Sequence, residues 1–345
     1  MKIKNKLLNK NGKCFIIAEA GVNHNGDLDL AKKLVDVAKK SGADAIKFQT
    51  FTAGKLVTES APMAEYQKKN IGKTESQYEM LKKLELKPEY HKILFDYAKR
   101  KGIMFISTPF DEDAIDFLDE LGVDVFKVGS SDANNIPYLI KMAKKGKPII
   151  LSTGMSDMNE VKESVSKILK INKKLAVLHC TTEYPCPCGQ VNLKAMETMA
   201  KKLGVMIGYS DHTEGIEVPV AAVAMGAKII EKHFTLDKFM EGPDHKASIE
   251  PKELTEMIKQ IRNIEMALGS ADKKIAKVAE KYIAIAKKSV VAREDIAKGV
   301  KITEKMLIIK RPGIGLEPKY IYKIIGKKAK KDIKKDELIA WKNII

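Results

Sequence analysis

Short apolar runs rich in Ile, Val and Phe recur along the first three quarters of the chain, at 14–19, 44–49, 103–107, 124–128, 148–152, 175–179, 205–209 and 228–232. Each leads into a polar loop or a stretch of helical periodicity, the pattern of alternating strand and helix. Eight such units in about 260 residues have the size and count of a (β/α)8 barrel. The first helix reads from Asp27, an N-cap, to Lys40, with Leu28, Ala31, Leu34, Val35 and Ala38 as its apolar stripe and Gly42 as its stop. Later helices start at Pro88, Asp111, Asn134 and Asp157, over 192–203 and 218–224, and at Pro251 for 251–268. Residues 1–13 read as a short hairpin turning at Asn11-Gly12 and capping the bottom of the barrel. A long insertion at 51–87, with one helical piece near 75–84, is expected to shape a site. Beyond the barrel (1–268) lie a helical, polar linker (269–288) and a run of short β pieces (289–345). So small a domain buries little surface alone and should dock on a barrel, its own or a partner's.

Composition narrows the class. Apolar residues make up 44% of the chain, enough for a large core, yet no run is long and apolar enough to span a membrane. The N-terminus carries charge without an apolar h-region, so the expectation is a cytoplasmic protein with no membrane role. Four cysteines do not frame a fold this long; Cys186 and Cys188 lack the second pair that a structural zinc site needs. The net charge is +17, and residues 269–345 hold 21 Lys and Arg against 9 Asp and Glu, so twelve of those charges lie there. Nearly all are lysines without interleaved aromatics, which argues against nucleic acid and for a solvated surface or a field that attracts an anionic substrate. There is no Gly-rich phosphate loop and no dinucleotide fingerprint.

Parallel strands buried on both faces should be apolar, yet these end in Glu19, Lys47 and Gln49, Lys127, His179, Ser210 with Asp211 and His212, and Glu231 with His233. In a (β/α)8 barrel the active site lies on that rim. His212 and His233 follow neighbouring strands and suit a divalent metal, with Glu231 as a further ligand or a supporting partner. Lys47 and Lys127 would be costly in a dry barrel unless they meet an anion or pair with carboxylates such as Glu19. Ser131, Ser152-Thr153-Gly154 and Ser210 add hydroxyls suited to a phosphate and a carboxylate. A Schiff-base lysine is the chemical rival. Glu19 is the candidate for proton transfer, and Gln49, Tyr184, Asp244 and His245 form a polar half for a polyhydroxylated partner.

Several ordered stretches then carry a resemblance: Ile17-Ala-Glu-Ala-Gly-Val-Asn-His-Asn-Gly26, Ala45-Ile-Lys-Phe-Gln49, Phe126-Lys-Val-Gly-Ser130, His179-Cys-Thr-Thr-Glu-Tyr-Pro185, Gly208-Tyr-Ser-Asp-His-Thr213 and Gly242-Pro-Asp-His245. The chain resembles the N-acetylneuraminate (sialic acid) synthases and the relatives that make legionaminic and pseudaminic acids. Ser289-Val-Val-Ala292 and Lys310-Arg-Pro-Gly-Ile-Gly315 resemble their antifreeze-like (SAF) domain. The resemblance implies condensation of phosphoenolpyruvate with open-chain N-acetylmannosamine and water, giving N-acetylneuraminate and phosphate. The alternative is the same chemistry on a diacetamido dideoxy hexose, giving legionaminic or pseudaminic acid. It implies Mn²⁺ (with Mg²⁺ or Co²⁺ as alternatives) on His212 and His233. Phosphoenolpyruvate would lie on Lys47, Lys127, Ser130, Ser152, Thr182 and Ser210, with Glu19 handling protons. The sugar would meet Gln49, Asn70, Tyr184 and Asp244, and Arg311 from the SAF domain of the other subunit of a homodimer. Three departures stand out: Lys287-Lys288 replaces an arginine-rich lead-in, Asp336 stands where glycine is frequent, and the 51–87 region that should help select the sugar carries no clear family motif.

Overall fold

A computed structural model of the chain describes residues 1–3, 6–7, 12–72 and 75–345. It divides into two compact units, Met1–Gly269 and Ser270–Ile345. The first contains eight parallel strands: β1 (Phe15–Gly21), β2 (Ala45–Thr50), β3 (Met104–Pro109), β4 (Phe126–Val128), β5 (Ile149–Ser152), β6 (Leu175–Cys180), β7 (Met206–Asp211) and β8 (Ile229–His233). They pair in the order β3-β2-β1-β8-β7-β6-β5-β4, and β3 lies against β4, so the sheet closes into the expected barrel.

The strand period of two sorts the side chains. Phe15, Ile17, Ala45, Met104, Ile106, Val125, Ile150, Ala176, Leu178 and Ile229 point inward and fill the lower barrel, joined by Ile3 from below. The outward positions, among them Ile16, Phe48, Phe105, Phe126, Leu151, Val177 and Ile230, pack against the helices. Continuing the inward register upward by two residues reaches Glu19, Lys47, Thr108, Lys127, Ser152, Cys180, Ser210 and Glu231. The dry core therefore gives way to a polar layer within one repeat.

Eight helices surround the strands: α1 (Leu28–Ser41), α2 (Pro88–Lys101), α3 (Glu112–Leu121), α4 (Ile136–Lys144), α5 (Met158–Leu169), α6 (Ala195–Leu203), α7 (Glu217–Ala224) and α8 (Pro251–Leu268). Asp27, Asp111, Asn135 and Asp157 cap α1, α3, α4 and α5 by accepting from backbone N–H groups of the first turn. Asn135 takes the cap expected one residue earlier. The insertion holds three short helices, Ala53–Leu56, Glu65–Ile71 and Gln77–Leu84, where the pattern suggests one. Lys2–Ile3 pairs antiparallel with Lys6–Leu7; the turn expected at Asn11-Gly12 falls at Asn11 outside the described residues.

In the second unit, β9 (Ser289–Ala292) pairs antiparallel with β10 (Leu307–Lys310). Val290, Ala292, Ile296, Ile302, Leu307, Ile324, Ile333, Ile339 and Ile344 form its core. Asp336 adopts the left-handed conformation, φ 65°. That accounts for a position where glycine is frequent, and Asp is among the residues that tolerate it. No described helix is long and apolar enough to cross a membrane.

Candidate active site

Four buried charges meet in the polar layer. Lys47 Nζ lies 2.7 Å from Glu19 Oε2 and 4.0 Å from Glu231 Oε1, and donates to Thr108 Oγ1 at 3.1 Å. Lys127 Nζ lies 3.2 Å from Glu231 Oε1 and donates to the Val128 carbonyl at 3.1 Å. Burial penalises every one of these charges, and the outcome differs by neighbour. Burial pushes Glu19 up to about 7 against the pull of Lys47. Burial alone would lower Lys47, but Glu19 and Glu231 together raise it. Glu231 is raised by burial and lowered by more from Lys127 and Lys47. Lys127 is lowered, because burial exceeds what Glu231 restores. Near neutral pH this leaves Glu19 able to take or give a proton. Gln49 Nε2 donates to its other oxygen at 3.5 Å.

Hydroxyls ring this quartet. Ser210 Oγ donates to Glu231 Oε1 at 3.2 Å, and Ser130 Oγ accepts from the Gly154 N–H at 2.9 Å. Ser152 Oγ and Thr182 Oγ1 are buried without a partner. A Cβ on Gly154 would sit 2.4 Å from Thr182 Oγ1 and 3.0 Å from both Cys180 Sγ and Ser130 Oγ, so only glycine lets these groups converge. Cys180, buried at the end of β6, also lines the cavity. Two lysines and unsatisfied hydroxyls make a cradle for a phosphate or carboxylate.

The two histidines stand beside it, ring centroids 5.6 Å apart. His212 donates from Nδ1 to the Thr181 carbonyl at 2.7 Å, which leaves its Nε2 lone pair available. His233 Nδ1 and Glu231 Oε2 are buried without partners. These donors fit a divalent cation. Among the described residues no group of three His, Cys, Asp or Glu is arranged to hold a metal, so two imidazoles would need further oxygen from water or substrate.

The cavity, about 490 Å³, is lined by Glu19, Lys47, Gln49, Lys127, Ser130, Ser131, Ser152, Thr182, Tyr184, Ser210, His212, Glu231 and His233. The remaining expected residues lie elsewhere. Asn70 and Asp244 do not line it: Asn70 Nδ2 donates to the Pro243 carbonyl at 2.6 Å, and Asp244 is buried near the Tyr66 hydroxyl. His245 binds Thr235 Oγ1 at 2.6 Å, away from the cavity. Arg311 belongs to the second unit, where its Nε donates to the Ala286 carbonyl at 3.2 Å. Two rim candidates face outward. His179 meets the Val191 carbonyl at 2.7 Å, and Asp211 pairs with Lys232 behind the barrel. Their odd places in strands whose even positions point inward explain the difference. Sequence reading missed Thr108, which shares the inward register of Met104 and Ile106. It also missed Tyr66, Gln67 and Gln77 of the insertion, which no periodicity could place on the cavity.

Comparison with known proteins agrees with this geometry. The NeuB family matches residues 34–273 and the SAF domain matches residues 287–345. The N,N'-diacetyllegionaminic acid synthase of Campylobacter jejuni subsp. jejuni is 50% identical over 330 residues, covering 95% of this chain and 99% of that protein. The human N-acetylneuraminate-9-phosphate synthase is 41% identical over 330 residues, covering 94% and 91%. The crystal structure of the N-acetylneuraminic acid (sialic acid) synthetase from Leptospira borgpetersenii, in complex with citrate, superposes with a TM-score of 0.73 at 35% identity, covering 82% of this chain and 94% of that one. The chain belongs to the NeuB family of sialic-acid-type synthases, with a SAF domain at its C-terminal end.

Proposed function

We propose that the protein condenses phosphoenolpyruvate with the aldehyde form of an N-acetylated aminosugar and water, releasing phosphate and a nine-carbon 2-keto acid. The observation that carries it is the cradle of Lys47 and Lys127 beside the unpartnered Ser152 and Thr182 hydroxyls. There the phosphate and carboxylate of phosphoenolpyruvate would join Glu19 and Glu231 around the lysines. C3 of phosphoenolpyruvate forms a bond to the aldehyde carbon, water adds at C2, and C–O cleavage expels phosphate. Glu19, raised by burial into the neutral range, positions the water and holds its proton. Ser130 and Ser210 orient the anion, with Ser130 Oγ held by the Gly154 N–H. His212 and His233 would hold a divalent cation, Mn²⁺ first and Mg²⁺ or Co²⁺ as alternatives, which supplies Lewis-acid polarisation of the aldehyde oxygen. Gln49 and Tyr184 line the side left for the sugar.

Two sugars compete. The identity of 50% to a diacetyllegionaminic acid synthase, against 41% to an N-acetylneuraminate-9-phosphate synthase, favours a diacetamido dideoxy hexose over N-acetylmannosamine. A homodimer is part of the proposal, with Arg311 of one SAF domain reaching the sugar in the partner's barrel. Ile275, Val278, Tyr282 and Ile285 are exposed on the single chain, an apolar face that a second subunit would cover. The test is phosphate release from phosphoenolpyruvate with Mn²⁺ across N-acetylmannosamine, its 6-phosphate and the diacetamido dideoxy hexoses. Release with none of them would overturn the proposal.

A further inference from the structure

Behind the strands that carry the two histidines lies a buried ion pair that the reaction does not use. Asp211 and Lys232 face each other across β7 and β8, with side chains 0% and 1% exposed, and neither lines the cavity. Each immediately precedes a histidine of the candidate metal site, His212 and His233. Lys232 Nζ donates to Asp211 Oδ2, and to the Thr213 carbonyl at 2.7 Å. Asp211 Oδ1 accepts from the Tyr209 hydroxyl at 2.9 Å, from the Thr213 N–H at 3.1 Å and from Thr213 Oγ1 at 2.9 Å. The residues on both sides of His212 are thus tied to the lysine beside His233. The other flank of His212 is held by the loop after β6: its carbonyl accepts from the Cys186 N–H at 2.8 Å, and its ring donates to the Thr181 carbonyl.

A buried ion pair gains little stability over apolar residues of the same volume, because taking both charges out of water offsets their attraction. Direction is what apolar packing does not supply. The hydrogen bonds around Asp211 fix where the 211–213 turn sits on β8, and a metal site needs its ligands held to about 0.5 Å. We propose that the Asp211–Lys232 pair, with Tyr209 and Thr213, is a positioning network that sets His212 and His233 relative to each other for a divalent cation. None of the four lines the cavity, so they act only through the histidines. The inference rests on the two-histidine site of the proposed function.

The experiment titrates Mn²⁺ into the metal-free, full-length protein, with free Mn²⁺ followed by electron paramagnetic resonance. Asp211→Asn combined with Lys232→Met removes both charges together, so neither is left buried alone. With far-ultraviolet circular dichroism unchanged, the Kd for Mn²⁺ should rise about ten- to a hundredfold, the usual loss when a partner that orients a metal-binding histidine is removed. Phosphate release should need correspondingly more Mn²⁺ and return to within about twofold of wild type at saturation. A folded double variant that binds Mn²⁺ like wild type would overturn the inference, as would a kcat that stays low at saturating Mn²⁺ with Kd unchanged. Thr213→Val keeps the shape and the ion pair but loses the hydroxyl donor to Asp211; it should raise Kd about fivefold. If the double variant does not fold, this milder one decides, and an unchanged Kd refutes the network. Ser164→Ala is the control for general loosening. It removes a buried hydrogen bond to the Ala133 carbonyl, 2.6 Å long, on the outer face of the barrel. Its Kd should stay within about twofold of wild type, and a rise equal to that of Thr213→Val would reduce the effect to lost stability and sink the inference. Failure of the wild-type protein to bind Mn²⁺ at all would instead strike the two-histidine site of the function proposal, and the network with it.

Discussion

Asp244→Asn gives the sharpest physical test of the site. Asp244 is buried, and its carboxyl is raised from the usual 3.8 to about 6 by that burial, against the lowering effect of the Tyr66 hydroxyl. The folded protein thus holds this proton more tightly than the unfolded chain, and stability falls as pH rises through the window from 3.8 to 6. The shift is roughly two units, so at ~1.4 kcal/mol per unit the ionised carboxylate costs about 3 kcal/mol at neutral pH. An asparagine of the same shape does not titrate. Its own amide N–H groups add a burial cost, but one independent of pH. The stability difference between variant and wild type should therefore move in favour of the variant by roughly 1.5 kcal/mol between about pH 5 and pH 8. Urea unfolding followed by far-ultraviolet circular dichroism, which reports mainly the barrel helices, measures it. Stability curves for the two proteins that run parallel across that range would refute the reasoning: Asp244 would then be ionised at little cost, through solvent or a partner other than Tyr66.

Three more outcomes are expected. His233→Ala should lower bound Mn²⁺ and phosphate release together, and full activity in metal-free buffer would contradict the two-histidine site. Gly154→Ala drives a methyl group into Thr182, Cys180 and Ser130, an overpacking of about 1–3 kcal/mol, so KM for phosphoenolpyruvate should rise ten- to a hundredfold with the sugar KM nearly constant. Arg311→Ala should raise KM for the sugar far more than for phosphoenolpyruvate; equal effects would remove Arg311 from the sugar site.

The barrel and its rim were legible because both follow from local rules. Eight apolar runs of strand length, each followed by a capped helix, leave little choice of architecture. Within it the period of two ties Glu19 to Ile17, Lys47 to Ala45 and Glu231 to Ile229, so an inward apolar position announces an inward polar one two residues later. The same rule, applied to His179 and Asp211, would have turned them outward. The insertion was opaque for the opposite reason. Its helices are short, and Tyr66, Gln67 and Gln77 reach the cavity through tertiary packing of Met63, Met80, Leu81 and Leu84 against Val22 and Phe51. Nothing in the local pattern of those residues encodes that direction. The proposed reach of Arg311 would belong to the same class, since it would depend on how chains associate.

Lys47 and Lys127 invite two chemistries, and their surroundings separate them. A Schiff-base lysine must be neutral to attack a carbonyl. Lys47 is held protonated by Glu19 at 2.7 Å and Glu231 at 4.0 Å, which together raise it despite complete burial. Lys127 is the one that burial lowers, so any imine would form there. Yet Glu231 lies 3.2 Å from its Nζ, and neutralising the lysine would leave that carboxylate buried with Lys47 as its nearest remaining cation. Losing one partner of a buried pair costs about 3–5 kcal/mol, a factor of several hundred or more against the neutral amine. An incoming phosphate or carboxylate instead adds a further counter-charge to Lys127 and leaves it protonated, so the amine is never neutralised. Borohydride treatment in the presence of pyruvate should therefore leave the protein at its unmodified mass and its phosphate release intact. A pyruvyl adduct on Lys127, with activity lost in proportion, would show that the pair opens readily and that the lysines are nucleophiles rather than anion binders.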